Sequence, residues 1–184
     1  MLIYKVSMSS LARVVLLCSM SMIMLTASPA HAVDIVSTKG EASKLNSEVS
    51  EGNWSLVMLW SHDCIPCEKQ KPMIEQFHRK TNARGVSVVG LSTDEKNLRT
   101  QAIATYKSTR TTFPNFYFNG QNFQQEYQRY SGYDFLGTPT YMVFAPDGEL
   151  TGVHTGAITR TMLEKAFSSK LKEETFTPST DLMQ

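Results

Sequence analysis

The sequence predicts an α/β domain in which helices cover both faces of a mixed central sheet, and three observations carry that expectation. Short apolar runs alternate with stretches of helical period, two of the runs are apolar at nearly every position, and the last two are joined by Pro146-Asp147-Gly148. Alternating strands and helices build a parallel sheet, all-apolar runs are strands covered on both faces, and a tight turn between adjacent strands makes an antiparallel edge.

The chain of 184 residues is 41% hydrophobic and 19% charged, the balance of one globular domain. Residues 1–32 read as a signal peptide outside that domain. Lys5 and Arg13 precede an apolar block at 14–25, and Ala30-His31-Ala32 places small residues where a signal peptidase cuts. The block is too short for a membrane span, which takes about 20 residues, so no stable membrane insertion is expected after processing. Cleavage after Ala32 removes two basic residues and no acid, leaving 16 Lys and Arg against 17 Asp and Glu. That near-neutral balance argues against nucleic-acid binding, which rests on basic charge facing phosphates. The domain spans residues 33–171, and a polar tail follows at 172–184.

Within the domain, Ala42, Leu45 and Val49 form one stripe of a helix at 38–50, ended by Glu51-Gly52-Asn53. Residues 54–60 read as a buried central strand. A helix follows at 64–83 with Met73, Ile74 and Phe77 on its buried side, Pro72 inside it and Arg84-Gly85 as its stop. Glu68, Lys69, Lys71, His78, Arg79 and Lys80 read as its solvated face. Residues 86–91 are a second buried strand, and 94–107 a polar helix carrying Leu98, Ile103 and Tyr106. The run 113–118 fits either a short edge strand or an extended loop, and 121–130 a short helix. The aromatics from Phe113 to Phe135 read as core filling. Strands at 140–145 and 150–154 form the closing hairpin, and Met162, Leu163, Ala166 and Phe167 mark a final helix at 159–171.

The candidate site lies where the first central strand meets its helix, at Trp60-Ser61-His62-Asp63-Cys64-Ile65-Pro66-Cys67. Cys18 leaves with the signal peptide, so Cys64 and Cys67 are the cysteines of the domain. A loop this small constrains the unfolded chain little, so the pair serves either redox chemistry or as a local brace. Residues three apart in a first helical turn lie about 5–6 Å apart, inside the roughly 4.4–6.8 Å between α-carbons that a disulfide accepts. Cys64, at the exposed helix start, meets unpaired amides and the positive end of the helix dipole, which stabilise a thiolate. Lowering a thiol pKa from about 8.5 to about 7 raises the thiolate fraction at pH 7 from roughly 3% to roughly half. Cys64 is therefore the expected nucleophile toward a substrate disulfide, and Cys67 the residue that resolves the mixed disulfide.

Five landmarks stand in order: Trp60 four before Cys64, Pro72 eight after it, Gly137-Thr138-Pro139-Thr140 before a strand, the Pro146-Asp147-Gly148 turn, and Thr155-Gly156-Ala157 before the last helix. With them the chain resembles the thioredoxin-like superfamily over most of 38–171, and within it the exported reductases of the TlpA and ResA type. The resemblance implies a thioredoxin-like fold, thiol-disulfide oxidoreductase activity and a periplasmic location. It also implies a cis-proline at Pro139 beside the cysteines and a backbone contact from Thr138 to an extended substrate strand. Taken alone, Thr138-Pro139 before a strand is a turn. The chain departs from the family pattern at Asp63, where an aromatic is usual. It departs again at Gln70, where members of the ResA type carry glutamate, and at Met58, which matches a buried aspartate of thioredoxin. Asp63 opposes thiolate formation, and proton transfer from Cys67 falls to Glu68 or water. His62 either tunes Cys64 with positive charge or is an idle loop histidine.

Proteins of this chemistry span about −270 to −120 mV, so local interactions set the direction of electron flow. Pro66 before the second cysteine resembles reducing members. That favours a reductant of disulfides in exported thiol proteins, fed by a membrane electron donor. Oxidase or isomerase action, with a membrane acceptor, is the alternative. No cofactor is expected beyond the Cys64–Cys67 disulfide itself, and no metal. A carrier holding copper on the two thiolates is a different class; zinc takes four ligands, and His62, His78 and His154 are scattered.

Overall fold

The computed structural model describes residues 32–49 and 52–171, so the expected signal peptide up to His31 and the expected tail lie outside the described residues. The two longest strands, β3 (Trp54–Trp60) and β4 (Val86–Ser92), pair in parallel from Trp54 opposite Val86 to Trp60 opposite Ser92. Side chains on a strand alternate between faces, and both faces here are apolar: Leu56, Met58 and Trp60 enter one buried cluster, Val57 and Leu59 the other. Among the described residues five helices cover them: α1 (Leu45–Val49), α2 (Ile65–Thr81), α3 (Arg99–Ser108), α4 (Phe123–Ser131) and α5 (Arg160–Phe167). On the first face lie Cys67, Ile74 and Phe77 of α2, Ala102 of α3, and Leu163 and Phe167 of α5. Leu45 and Val49 of α1 and Phe123 and Tyr127 of α4 cover the second. Burying each large apolar side chain contributes about 1.5–3 kcal/mol, so two such clusters hold the sheet as the middle layer.

Around this pair the sheet is completed by β1 (Asp34–Ser37), β2 (Ala42–Lys44), β5 (Asn115–Phe118), β6 (Thr140–Phe144) and β7 (Leu150–Thr155). The order is β2-β1-β5-β4-β3-β6-β7, parallel within β5-β4-β3 and antiparallel outside it. This is the mixed α/β architecture that the sequence predicts, with the expected β6–β7 hairpin as one edge.

The other edge differs from expectation. The predicted helix at 38–50 is instead the β1–β2 hairpin followed by the short α1. Ser37 Oγ accepts hydrogen bonds from Lys39 N and Glu41 N, and Gly40 takes φ +89°, so the chain reverses before a helix can start. Leu45 and Val49 still share a buried helical face, but Ala42 belongs to β2. The run at 113–118 forms β5, an interior strand, because Phe116 and Phe118 fill one cluster while Tyr117 fills the other. The predicted helix at 94–107 begins later, as a 3₁₀ turn at Lys96–Leu98 that leads into α3. The predicted solvated face of α2 also needs correction at Lys71, which is buried; Glu75, outside that predicted set, is buried as well. Among the described residues no helix is long and apolar enough to cross a membrane.

Glu75 ties α2 to the chain entering β5. Its carboxylate accepts from Thr112 N and Thr112 Oγ1, both at 2.7 Å, and from Arg79 Nε at 2.6 Å. Burial alone raises a carboxyl pKa, but the two Thr112 hydrogen bonds and Arg79 outweigh it and lower Glu75 from 4.5 to about 2. A depressed folded pKa adds stability above the unfolded value and loses it as pH falls through the folded one. Glu75→Gln is expected to lower unfolding free energy at pH 7 by about 2 kcal/mol. Denaturant titrations at successive pH values should also show the wild-type loss between about pH 5 and pH 2 flattened in the variant.

Candidate active site

The site is built where β3 ends. After Trp60 the chain turns, with Cys64 N donating to Ser61 O at 3.2 Å and Ile65 N to Asp63 O at 3.1 Å, and α2 begins at Ile65. Pro66 stands in the first turn, where its missing N–H has no helical partner to lose. Cys64 is the N-cap of α2, and its sulfur accepts a hydrogen bond from Cys67 N at 3.1 Å. The two sulfurs form a disulfide with α-carbons 5.2 Å apart. Cys67 is fully buried, and Cys64, expected at an exposed helix start, is only 7% exposed, because its sulfur turns inward to meet its partner. Exposed Ile65 and Pro66 form the outer rim of this turn.

A second loop reaches the same place. The Thr138–Pro139 peptide is cis, Pro139 O accepts from Gly156 N at 2.8 Å, and Thr140 Oγ1 donates to Gly137 O at 2.7 Å. Thr138 Oγ1 lies 3.2 Å from Ser61 Oγ, which joins this loop to the one that precedes the cysteines. Antiparallel pairing of β3 with β6, with Leu59 opposite Thr140, brings both loops to one end of the sheet. Ser61, three residues before Cys64, and Thr138 are thus brought together from positions 77 residues apart.

His62 is held in place by Asp94. Its backbone N donates to Asp94 Oδ2 at 2.9 Å and its Nδ1 lies 2.6 Å from Asp94 Oδ1; a carboxylate only accepts, so Nδ1 carries the proton. Ser92 Oγ donates to Asp94 Oδ2 at 2.7 Å, and Thr105 Oγ1 donates to His62 O at 3.2 Å. The Asp94 hydrogen bond raises the His62 pKa above its ordinary 6.5, against the opposing effect of partial burial. Sequence reasoning gave Asp94 to a helix and found no partner for His62; a pair 32 residues apart carries no local signal.

The positions that depart from the family pattern are occupied otherwise. Met58 is fully buried. Gln70 Oε1 accepts from Tyr141 Oη at 3.1 Å and from Ile158 N at 2.9 Å. Glu68 Oε1 accepts from Lys71 Nζ at 2.5 Å, and that ammonium lies 4.2 Å from the centroid of a Trp60 ring. Asp63 accepts from Ser61 Oγ at 2.8 Å, a bond that lowers its pKa. Among the described residues no three His, Cys, Asp or Glu side chains are placed to hold a metal.

A pair of cysteines that closes a bond at a helix start, on a sheet of this order, is the apparatus of disulfide exchange. The sequence profile of the AhpC/TSA family matches residues 27–153. The chain belongs to that family. Within the thioredoxin-like fold that AhpC/TSA proteins share, the thiol-disulfide oxidoreductase ResA of Halalkalibacterium halodurans is 26% identical over 144 residues, 78% of this chain and 77% of that one. The thioredoxin domain of a thiol-disulfide oxidoreductase from Bacteroides vulgatus superposes with a TM-score of 0.63 at 18% identity, over 76% of this chain and 93% of that one. StoA from Bacillus subtilis gives 0.54 at 18%, over 74% and 96%. The structural likenesses establish the fold.

The His62–Asp94 pair makes stability depend on pH near neutrality. Because the folded His62 pKa is raised, its contribution is complete below the unfolded value of about 6.5 and is lost as pH rises through the folded one. Thermal unfolding followed from pH 6 to pH 9 should show a decline in wild type that is absent in Asp94→Asn, whose melting point should be lower at pH 6.

Proposed function

We propose that the protein is an exported thiol-disulfide oxidoreductase that reduces disulfides of exported proteins, with Cys64 as nucleophile and Cys67 as resolving residue. The observation that carries the exchange chemistry is the closed Cys64–Cys67 disulfide at the start of α2. Curated relatives named as thiol-disulfide oxidoreductases, the first of them matched over most of both chains, support the same activity. In the reduced enzyme, Cys67 N and the helix start face the Cys64 sulfur and favour its thiolate. That thiolate attacks a substrate disulfide and releases one substrate thiol. Cys67 then attacks Cys64, releases the second and restores the internal bond. Thr138, whose loop meets Ser61, offers its backbone to an extended substrate strand, and Pro139 sets the shape of that loop.

Two features support the finer reading. The leader at 1–32, with Lys5, Arg13, the apolar block and Ala30-His31-Ala32, supports export and periplasmic work on thiol proteins. Pro66, inside the cysteine pair, supports the reducing direction, which requires a membrane electron donor to return Cys64 and Cys67 to thiols.

Equilibration of the purified protein against dithiothreitol or glutathione mixtures is expected to give a midpoint near −270 mV; a value near −120 mV would reverse the direction to oxidase. Cys67→Ser is expected to accumulate a covalent complex with a disulfide substrate, visible on non-reducing gels, whereas Cys64→Ser is not. Normal turnover by Cys67→Ser would remove the assignment of roles.

A further inference from the structure

Resolution requires Cys67 to lose a proton inside the core, and the nearby side chains offer no obvious base. Met58, in the same buried cluster, does not ionise. Gln70, three residues after Cys67, spends its carbonyl oxygen on Tyr141 Oη and Ile158 N. What α2 places on the Cys67 side is a cation. Cys67, Lys71 and Ile74 stand at i, i+4 and i+7 and are all buried, so they share the face that α2 turns to the sheet. Side chains four apart on a helix start about 5–6 Å from one another.

Lys71 is only 3% exposed. Its ammonium lies against the face of Trp60, which packs in the cluster that holds both cysteines, and bonds Glu68, whose carboxylate is 36% exposed. Burial pushes the Lys71 pKa down, and the Glu68 hydrogen bond pushes it back up. An ammonium withdrawn from water and matched by one partly solvated carboxylate gains from a second anion nearby. The reduced enzyme supplies that anion when Cys67 ionises. A cleft of about 400 Å³ between α2 and residues 109–111 reaches Lys71 and Glu68, so this pair borders solvent on the side away from the sheet.

We infer that Lys71 tunes the resolving cysteine: its buried ammonium stabilises the Cys67 thiolate, and Glu68 tempers that charge. The inference rests on the reading of Cys67 as the resolving residue. In the step it serves, the Cys67 thiol gives up its proton to water and the thiolate attacks Cys64 Sγ. The bond from Cys64 to the substrate sulfur breaks, and its electron pair leaves on the substrate thiolate, which takes a proton from water. One disulfide forms as one is lost: Cys67 is oxidised, the substrate cysteine is reduced, and Cys64 passes from the mixed to the internal disulfide with no change of oxidation state. The other ionisable groups around this face are Cys64, Glu75 paired with Arg79, Arg110 across the cleft, and Tyr141, whose hydroxyl is bonded to Gln70.

The test is a titration of Cys67 by the ultraviolet absorbance of its thiolate in a Cys64→Ser background. Lys71→Met is expected to move the midpoint up by about one pH unit, roughly a tenfold loss of thiolate at neutral pH, and Lys71→Arg to recover most of it. Glu68→Gln is expected to move the midpoint the opposite way, a sign that loss of packing does not produce. Should Lys71→Met fail to unfold cooperatively, Lys71→Arg and Glu68→Gln carry the test. Cys64, titrated in a Cys67→Ser background, should shift much less. An unchanged Cys67 midpoint in folded Lys71→Met, or shifts of one sign in Lys71→Met and Glu68→Gln, would overturn the inference. The titration reads a thiol and not a substrate, so a reversed direction of electron flow leaves it untouched. Failure of Cys67→Ser to trap substrate would strike the parent reading and not the tuning.

Discussion

Trp60 holds the redox loop to the sheet. Its indole Nε1 donates to Asn115 Oδ1 of β5 at 3.2 Å in a buried position, and its ring meets Tyr117 edge-on at 6.4 Å. Its carbonyl accepts from both the backbone N and the Oγ1 of Thr93, just past β4. A buried indole N–H left without an acceptor costs about 1–3 kcal/mol, so the position of Asn115 is not negotiable. Asn115 fits there because of Gly90 on the strand between them: a Cβ at Gly90 would stand 2.0 Å from Asn115 Oδ1. Trp60, Gly90 and Asn115 therefore form one matched set across three neighbouring strands, and the loop that starts after Trp60 inherits its position from them.

Beyond that anchor the two cysteines differ in what faces them. Cys64 caps the helix, and its sulfur, turned inward, accepts from the N–H of Cys67. Cys67 sits on the inward face of the same helix, among apolar side chains that oppose any charge. One disulfide thus joins the capped end of a helix to the core within a single helical turn. In the proposed mechanism Cys64 is the sulfur that meets substrate, and Cys67 the one that must be helped to ionise.

Much of this was legible in the sequence. The strand-to-helix junction at Trp60–Cys67, the Pro146-Asp147-Gly148 hairpin and the apolar faces of α2 and α5 are set by local pattern, and local pattern is what a sequence displays. The β1–β2 hairpin was read as helix because Leu45 and Val49 do lie one turn apart, and the Ser37 side-chain bonds that reverse the chain leave no periodicity. The interior place of β5 depends on β1 covering its free edge, a pairing decided by tertiary packing. His62 with Asp94, and Ser61 with Thr138, are joined only once the sheet has formed. Lys71 reads as solvated because charged residues are mostly exposed, and nothing near Glu75 in the sequence marks its burial either. Trp60 and Thr112, which draw them inward, are distant or unmarked in the sequence.

The antiparallel register of β3 with β6 divides the molecule into a working pole and an indifferent one. Leu59 and Thr140 pair at the end that carries the cysteines, and Ser55 and Phe144 at the other, where Gly52 N donates to Pro146 O. Four residue rises along β6 separate the two, about 13 Å. A fluorophore or a surface tether grafted at Pro146–Gly148 therefore leaves the thiol end free to meet its clients. A single-residue deletion within β6 does the reverse, turning over the side chains on the Thr140 side of the cut and dragging the Thr138 loop out of step with Ser61.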